Sequence, residues 1–157
     1  MKYKVISPYT PEEAVKIILN ALKQINAKVE SVTSKSLMVK IRTGFMTSVP
    51  IQVSFIETPY GSIIEFAIPT ILEDQLVDET FFGERVAYIG QREKVEKVKI
   101  KIGELKACID GLDEEEARNI FDLHTRVTLL NECPRCGSNV RKGFRCAYCN
   151  SLMIKFG

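Results

Sequence analysis

The chain has 157 residues, of which 45% are hydrophobic and 27% charged, and its formal net charge at pH 7 is +2. These values are typical of a soluble globular protein with one ordinary domain and a small addition, and so small a net charge indicates no class of partner. No apolar run approaches the roughly 18 residues of a membrane-spanning helix, and the N-terminal MKYKVISPYT contains no secretory signal. We therefore expect a cytoplasmic protein that contacts no membrane and whose thiols stay reduced.

The first predicted elements are a short strand over 2–6 and a helix over 10–26. Thr10 and Glu13 have the spacing of a capping box at the start of this helix. Asn26 is suited to its C-terminal end, because Asn tolerates a left-handed backbone. Apolar residues recur at helical spacing between these ends, so the helix has one face to bury.

Alternating apolar residues then predict four strands, over 27–33, 36–44, 50–57 and 62–69. The third and fourth are separated by TPYG at 58–61, a sequence that suits a type I turn. Strands joined by such short connections form an antiparallel meander with one face to cover. The apolar stripe of the preceding helix is suited to cover it.

Residues 70–90 predict no clear element, and a second helix is predicted over 92–110. Its apolar positions recur at intervals of three and four residues, as in a heptad repeat: Val95, Val98, Ile102, Leu105 and Ile109. Such a seam either covers the sheet or pairs with another chain. The heptad spacing favours pairing, so we expect a homo-oligomer formed through helix 92–110.

A third helix is predicted after Gly111. Asp113 and Glu116 form another capping box, and an apolar stripe follows at helical spacing, with members Ala117, Ile120, Phe121, His124, Val127 and Leu130. Two helices joined by so short a connection predict a helical hairpin. His124, the single histidine, is interpreted as a packed core or interface residue, and Cys108 as a small buried hydrophobic residue.

The C-terminal segment contains four cysteines in two CxxC pairs, Cys133/Cys136 and Cys146/Cys149, with nine residues between the pairs. Zn²⁺ in structural sites is held tetrahedrally by four such ligands, so these residues are the predicted metal ligands and one Zn²⁺ the predicted cofactor. Iron is an alternative because a tetrahedral set of four sulfurs also suits it. Disulfides are a further alternative if the source is thermophilic.

The segment CPRCG, a short turn with RKGF, and CAYC resembles a zinc ribbon over residues 131–157. Gly137 suits a left-handed position that closes the first knuckle, and Asn150 stands where these motifs usually repeat Gly. The resemblance implies a closed structural site, in which the metal folds a segment too small to fold alone.

The element order of residues 1–110 resembles the half-repeat of the TATA-binding-protein fold and the helix-grip folds. RTGFMTSVPIQVSFIE is also similar to small domains of unknown function that precede zinc ribbons. Together the elements predict an α+β fold, an antiparallel sheet of order β-α-β-β-β-β covered by helices. The expected domains are a sheet domain (1–90), a helical hairpin (91–130) and a zinc ribbon (131–157). Fold does not determine function, so no activity follows from this resemblance.

Charge differs sharply between the last two segments. Residues 71–132 contain nine Lys/Arg and fifteen Asp/Glu, whereas residues 133–157 contain five Lys/Arg and no acidic residue. The basic side chains either offset the charge of four thiolates or bind phosphates, with Tyr148 stacking on bases and Phe144 packed on the ribbon. The candidate nucleic-acid-binding residues are Arg141, Lys142, Arg145 and Tyr148.

Two functions are consistent with these patterns. The first is a zinc-binding, non-enzymatic adaptor that contacts a partner protein, and the alternative is a nucleic-acid-binding accessory factor in transcription or translation. The sequence has no phosphate-binding glycine loop, no nucleophile elbow and one histidine only. We therefore expect no enzymatic activity.

Overall fold

The computed structural model describes residues 2–43, 48–68 and 81–156, with side chains from residue 94 onward in the last range. Within them the fold is mixed α+β, with a six-stranded antiparallel sheet and three helices. The elements are β1 Lys2–Ser7, α1 Pro11–Gln24, β2 Lys28–Val32, β3 Ser36–Arg42, β4 Ser48–Thr58, β5 Gly61–Ala67, α2 Phe81–Cys108, β6 Leu112–Asp113, α3 Glu114–Ile120, β7 Val127–Leu129, β8 Arg141–Lys142, β9 Arg145–Cys146 and β10 Ile154–Phe156. Among the described residues no helix has both the length and the apolar character required to cross a membrane.

The caps of α1 are those that the sequence predicts. Thr10 Oγ1 accepts a hydrogen bond from the Glu13 N–H at 3.4 Å, and the Glu13 carboxylate accepts one from the Thr10 N–H at 3.3 Å. Asn26 has a left-handed φ of 55°. The chain then reverses so that the Ala27 N–H donates to the Leu22 carbonyl at 3.1 Å, the longer bond of a Schellman motif.

The large sheet has the strand order β2-β3-β4-β5-β1-β6. The meander of β2 to β5 agrees with the sequence prediction, while the placement of β1 beside β5 arises only in the folded chain. Its register puts Val39 opposite Ile51, and Phe66 opposite both Val53 and Tyr3. This face carries most of the buried apolar side chains, and α1 and the C-terminal half of α2 cover it.

The heptad seam of α2 packs against other elements of the same chain. Its last four members, Val98, Ile102, Leu105 and Ile109, are buried in the same core as the sheet and α1. Of the two roles that the sequence allowed, the seam therefore covers the sheet. Self-association through helix 92–110 stays a prediction, and it would have to use another face, on which Ile100 is 61% exposed.

The helical hairpin predicted over 91–130 is wrong in its second half. α3 has seven residues and ends at Ile120, whereas the predicted apolar stripe continues to Leu130. The backbone becomes extended at Phe121, with φ −155° and ψ 159°. After a turn the chain forms β7, which pairs antiparallel with β10, so residues 127–129 are tied to the C-terminal segment by strand pairing.

The turn after α3 explains why the helix stops there. The Asp122 carboxylate accepts a hydrogen bond from the His124 N–H at 3.0 Å, and the Asp122 carbonyl accepts one from the Thr125 N–H at 2.9 Å. Asp favours such turns, and the β-branched residues of RVTLL then favour a strand. His124 is exposed in this turn, so it is not a packed core residue, and a role at an interface stays a prediction.

The second face of the sheet is covered at one end by α3 and the C-terminal segment. Ile6 of β1 lies opposite Ile63 of β5 and Leu112 of β6 in register. These side chains form a second apolar cluster with Tyr60 of the β4–β5 turn and with residues in and directly after α3, in β7 and in the ribbon, namely Ala117, Phe121, Val127, Phe144 and Ile154. The sheet therefore lies between a helical layer on one side and the C-terminal segment on the other.

Substituting one residue of the seam by alanine tests whether the seam is part of the core. Ile102→Ala should lower the free energy of unfolding by about 2–5 kcal/mol, because it removes a buried side chain and leaves a cavity. Ile100→Ala, two residues away on the exposed face, is the matched control and should change stability by less than about 0.5 kcal/mol. Urea denaturation followed by circular dichroism measures both, and equal effects would contradict the seam's role as core.

Candidate metal centre

The structure brings the four cysteines of the C-terminal segment into one cluster. All four Sγ atoms lie within 4.8 Å of one another. The Sγ atoms of Cys133 and Cys149 are 3.3 Å apart, and those of Cys136 and Cys146 are 3.5 Å apart. A tetrahedral zinc site with Zn–S bonds of about 2.3 Å requires sulfurs about 3.8 Å apart. The donor set and its spacing therefore fit one four-coordinate metal ion.

Two copies of one local structure position these sulfurs. The sequences CPRCGS and CAYCNS stand thirteen residues apart, and each folds around the same backbone hydrogen bond. The Cys133 N–H donates to the Ser138 carbonyl at 2.7 Å, and the Cys146 N–H donates to the Ser151 carbonyl at 2.8 Å. The two knuckles therefore approach the metal position with related geometry.

A left-handed residue closes each knuckle, as the sequence predicts. Gly137 has φ 76° and Asn150 has φ 61°. The Gly137 N–H donates to the Cys133 carbonyl at 2.9 Å, and the Asn150 N–H donates to the Cys146 carbonyl at 3.1 Å. Asn150 thus takes the position that Gly has in the first knuckle, because Asn tolerates this region better than other side chains.

Hydrogen bonds in the second knuckle stabilise the thiolate form that a metal requires. The Ser151 side chain, its backbone N–H and the Cys133 thiol lower the pKa of Cys149 to about 6. The backbone N–H groups of Cys149 and Tyr148 lower the pKa of Cys146. The Ser138 backbone N–H lowers the pKa of Cys136, but its hydrogen bonds with the neighbouring thiols raise that pKa to about 12. Metal ligands must be deprotonated, so binding at this cluster releases protons and weakens as pH falls.

The β8–β9 hairpin between the knuckles rests on the C-terminal end of α2. Gly143 at its tip has φ 63°. A Cβ atom added there would overlap the carbonyl oxygen of Asp110. The close approach of the two backbones therefore requires glycine at this position.

Phe144 anchors the ribbon to the rest of the chain. It is 2% exposed, and its ring centroid lies 5.6 Å from that of Phe121 and 6.3 Å from that of Tyr60, both edge to face. Phe144 is therefore packed, as the sequence suggested, in a cluster that contains Ile154 of the ribbon and extends beyond the ribbon to Tyr60 and Phe121. Phe144 follows the hairpin tip and joins the ribbon to this shared core.

The two arginines among the candidate nucleic-acid-binding residues donate to backbone carbonyls of the ribbon segment. Arg141 Nη1 donates to the Leu130 carbonyl at 3.4 Å, and Arg145 Nη1 donates to the Asn150 carbonyl at 3.1 Å. Arg141 thus ties the hairpin to the segment before the first knuckle, and Arg145 braces the second knuckle. Part of the basic character of the segment has a local structural role.

The other two candidates are more accessible. Lys142 lies 3.8 Å from the Asp110 carboxylate, but its side chain is 71% exposed. Tyr148 is 76% exposed at the second knuckle. The structure therefore leaves a lysine and an aromatic ring of the ribbon available for a partner.

Cys108 lies apart from the four-cysteine cluster. It is the last residue of α2 and is exposed, so its interpretation as a buried hydrophobic residue is wrong. The end of α2 turns this position away from the core that Leu105 and Ile109 enter.

Comparison with known proteins adds no family to this geometry. No protein-family model matches the chain, and no curated protein matches it. The interpretation of the centre therefore rests on its own residues.

Sequence reasoning missed the serines of the knuckles and the aromatic anchors of the ribbon. The sequence does contain a signal for the serines, because Ser138 and Ser151 each follow a CxxC pair at the same distance. The sequence contains no signal for the aromatic contacts of Phe144, because Tyr60 and Phe121 are distant from it along the chain and contact it only after folding.

Substituting two aromatic residues of the ribbon by alanine tests whether Phe144 anchors the ribbon to the rest of the chain. Phe144→Ala should lower the free energy of unfolding by about 3–5 kcal/mol, because the ring fills a buried site between three elements. Tyr148→Ala removes an exposed ring of the same segment and should change stability by less than about 0.5 kcal/mol. Both are measured by urea denaturation of the metal-loaded protein, and a Phe144→Ala variant as stable as Tyr148→Ala would rule out the anchor.

Proposed function

We propose that the chain is a zinc-binding, non-enzymatic protein-interaction module with one structural zinc site of four cysteines. The observation that carries this proposal is the cluster of four Sγ atoms within 4.8 Å, formed by two knuckles of the same local structure. Four thiolates complete a tetrahedral shell, so such a site leaves no coordination position for a substrate.

The role of the metal is structural because the ribbon contains little else that could fold it. β8 and β9 have two residues each, and β10 has three. The cysteine cluster buries only Cys133, Cys146 and Met153 as its own core. So small a segment depends on metal coordination for its stability.

The proposal of a non-enzymatic role follows from where the reactive side chains lie. Within the described residues, the four-cysteine cluster is the one group of His, Cys, Asp and Glu side chains suited to hold a metal ion. His124 is exposed in a turn, and Cys108 is exposed at the end of α2. The pocket that His124 lines does not include Cys108, so the two do not form there the paired groups that nucleophilic catalysis requires.

The role in protein contact is supported by the exposed apolar side chains of the ribbon. Val140, Tyr148 and Phe156 are all exposed although each is large and hydrophobic. Ala147, beside Tyr148, donates its N–H to the Val140 carbonyl at 3.1 Å, so the backbone at Val140 lies close to that at Tyr148. Tyr is enriched in the contact surfaces of proteins. The nucleic-acid-binding alternative has less support, since both arginines already donate to backbone carbonyls.

Metal analysis tests the centre directly. The purified protein should contain one zinc per chain, and Cys146→Ser should lose it because three thiolates and a hydroxyl bind zinc far less tightly. Cys108→Ser is the matched control and should keep the full zinc content. Elemental analysis also separates zinc from iron, and a metal-free wild type purified under reducing conditions would disprove the proposal.

Surface variants test the contact role without unfolding the ribbon. Tagged wild type should capture a partner protein from extracts of its native host, and the double variant Val140→Ser, Tyr148→Ala should lose that partner while it keeps its zinc. Lys155→Gln, a ribbon surface change without loss of apolar area, is the control. Capture that is the same for the double variant and for wild type would exclude this surface.

A further inference from the structure

A cleft of about 620 Å³ lies between the C-terminal end of α2 and the ribbon. Its volume is within the range of ligand-binding pockets. One wall comes from the last turn of α2 and the residues after it, and the other from the β8–β9 hairpin and the second knuckle. Cys146 is part of the lining, so the wall on the ribbon side depends on the metal centre.

The charged side chains of the cleft are mainly basic. Lys106, Lys142 and Arg145 line it, against one acidic residue, Asp110. Lys106 is already held by Asp113 at 3.4 Å and by Glu116 at 3.0 Å. The cations with remaining capacity for a ligand are therefore those of Lys142 and Arg145.

Lys142 and Arg145 stand directly opposite each other in the β8–β9 pair. Like charges at opposite positions of an antiparallel pair destabilise it. The Asp110 carboxylate, 3.8 Å from Lys142, offsets part of this repulsion, whereas the contact of Arg145 is a neutral carbonyl at 3.1 Å. An anion in the cleft would relieve the repulsion, and a guanidinium pairs best with a carboxylate or a phosphate.

Apart from Asn150, the rest of the lining is small or apolar. Ala107 and Leu112 come from the α2 side, and Phe144 and Ala147 from the ribbon. Gly103 adds open space, because a Cβ atom built there meets nothing within 4 Å. The cleft therefore combines an apolar floor with two cations at its ribbon edge.

We propose that this cleft binds an acidic peptide segment of a partner protein, with carboxylates paired to Arg145 and Lys142 and an apolar side chain against Ala107 and Ala147. This inference rests on the proposed function and names the chemistry of the partner. It uses a surface different from that of Tyr148, which does not line the cleft.

The lining favours a peptide over a nucleic acid. The Phe144 ring is held edge to face by Tyr60 and Phe121, so it offers no face for a base to stack on. A phosphate backbone is usually followed by a row of cations, whereas here two are available and Asp110 stands beside one of them.

Fluorescence anisotropy with the zinc-loaded full chain tests the cleft. The probe is a short fluorescein-labelled peptide of alternating Glu and Leu, compared with the same peptide carrying Gln for Glu and with labelled single-stranded oligothymidine. Wild type should bind the Glu-Leu peptide in preference to both. Lys142→Gln and Arg145→Gln should each weaken that binding about tenfold, since each removes a charged hydrogen bond.

Two further variants test whether the peptide binds in the cleft or to positive charge elsewhere on the ribbon. Ala147→Trp should abolish peptide binding by filling the cleft, and Lys155→Gln, a ribbon lysine outside the lining, should leave it unchanged. Zinc content is measured for every variant. Variants that lose peptide binding but keep their zinc support the proposal.

Three results would overturn it. The first is no binding of the Glu-Leu peptide by zinc-loaded wild type, or equal binding by Ala147→Trp. The second is oligothymidine binding that the same variants abolish, which would assign the cleft to nucleic acid. The third is loss of zinc in Arg145→Gln with peptide affinity unchanged in its zinc-loaded fraction, which would assign that charge to the thiolates. If one of these results is obtained while wild type contains zinc and still captures a partner through Tyr148, the cleft is disproved and the proposed function stands.

Discussion

Four cysteine sulfurs held within 4.8 Å of one another are the constraint on which the C-terminal part of the protein depends. As thiolates they repel strongly, so they stay together only around a cation that neutralises part of their charge. Hydrogen bonds from Ser151 lower the pKa of Cys149 to about 6, whereas the neighbouring thiols raise that of Cys136 to about 12, so a cation that binds here must displace protons. A metal ion at this point would convert two short turns into a rigid unit.

The rigidity of the ribbon matters to the whole fold because Phe144 is carried on it. The hairpin between the knuckles inserts this ring into the cluster with Tyr60 and Phe121. That cluster covers one end of the second face of the sheet, the face that carries Ile6. A metal ion bound by the four cysteines would thus stabilise contacts outside the ribbon, and the sheet in turn orients the ribbon.

This docking also determines which ribbon surfaces a partner can reach. The hairpin side is occupied by the end of α2, where Gly143 approaches Asp110. The Tyr148 surface and the cleft edged by Lys142 and Arg145 stay accessible. Both surfaces keep their shape only while the knuckles hold their geometry, so the interactions proposed for them would depend on the metal.

The sequence by itself determined the elements that depend on local chemistry: the caps of α1, the meander of β2 to β5 and the four clustered cysteines. Capping spacing, period-two alternation and CxxC knuckles involve residues that are close along the chain. It misassigned the helix beyond Ile120, because apolar residues at helical spacing there serve a turn and β7. Only the tertiary structure decided what the heptad seam and Phe144 pack against. Several apolar faces could have covered either of them, and the choice depends on packing between segments that are distant along the chain.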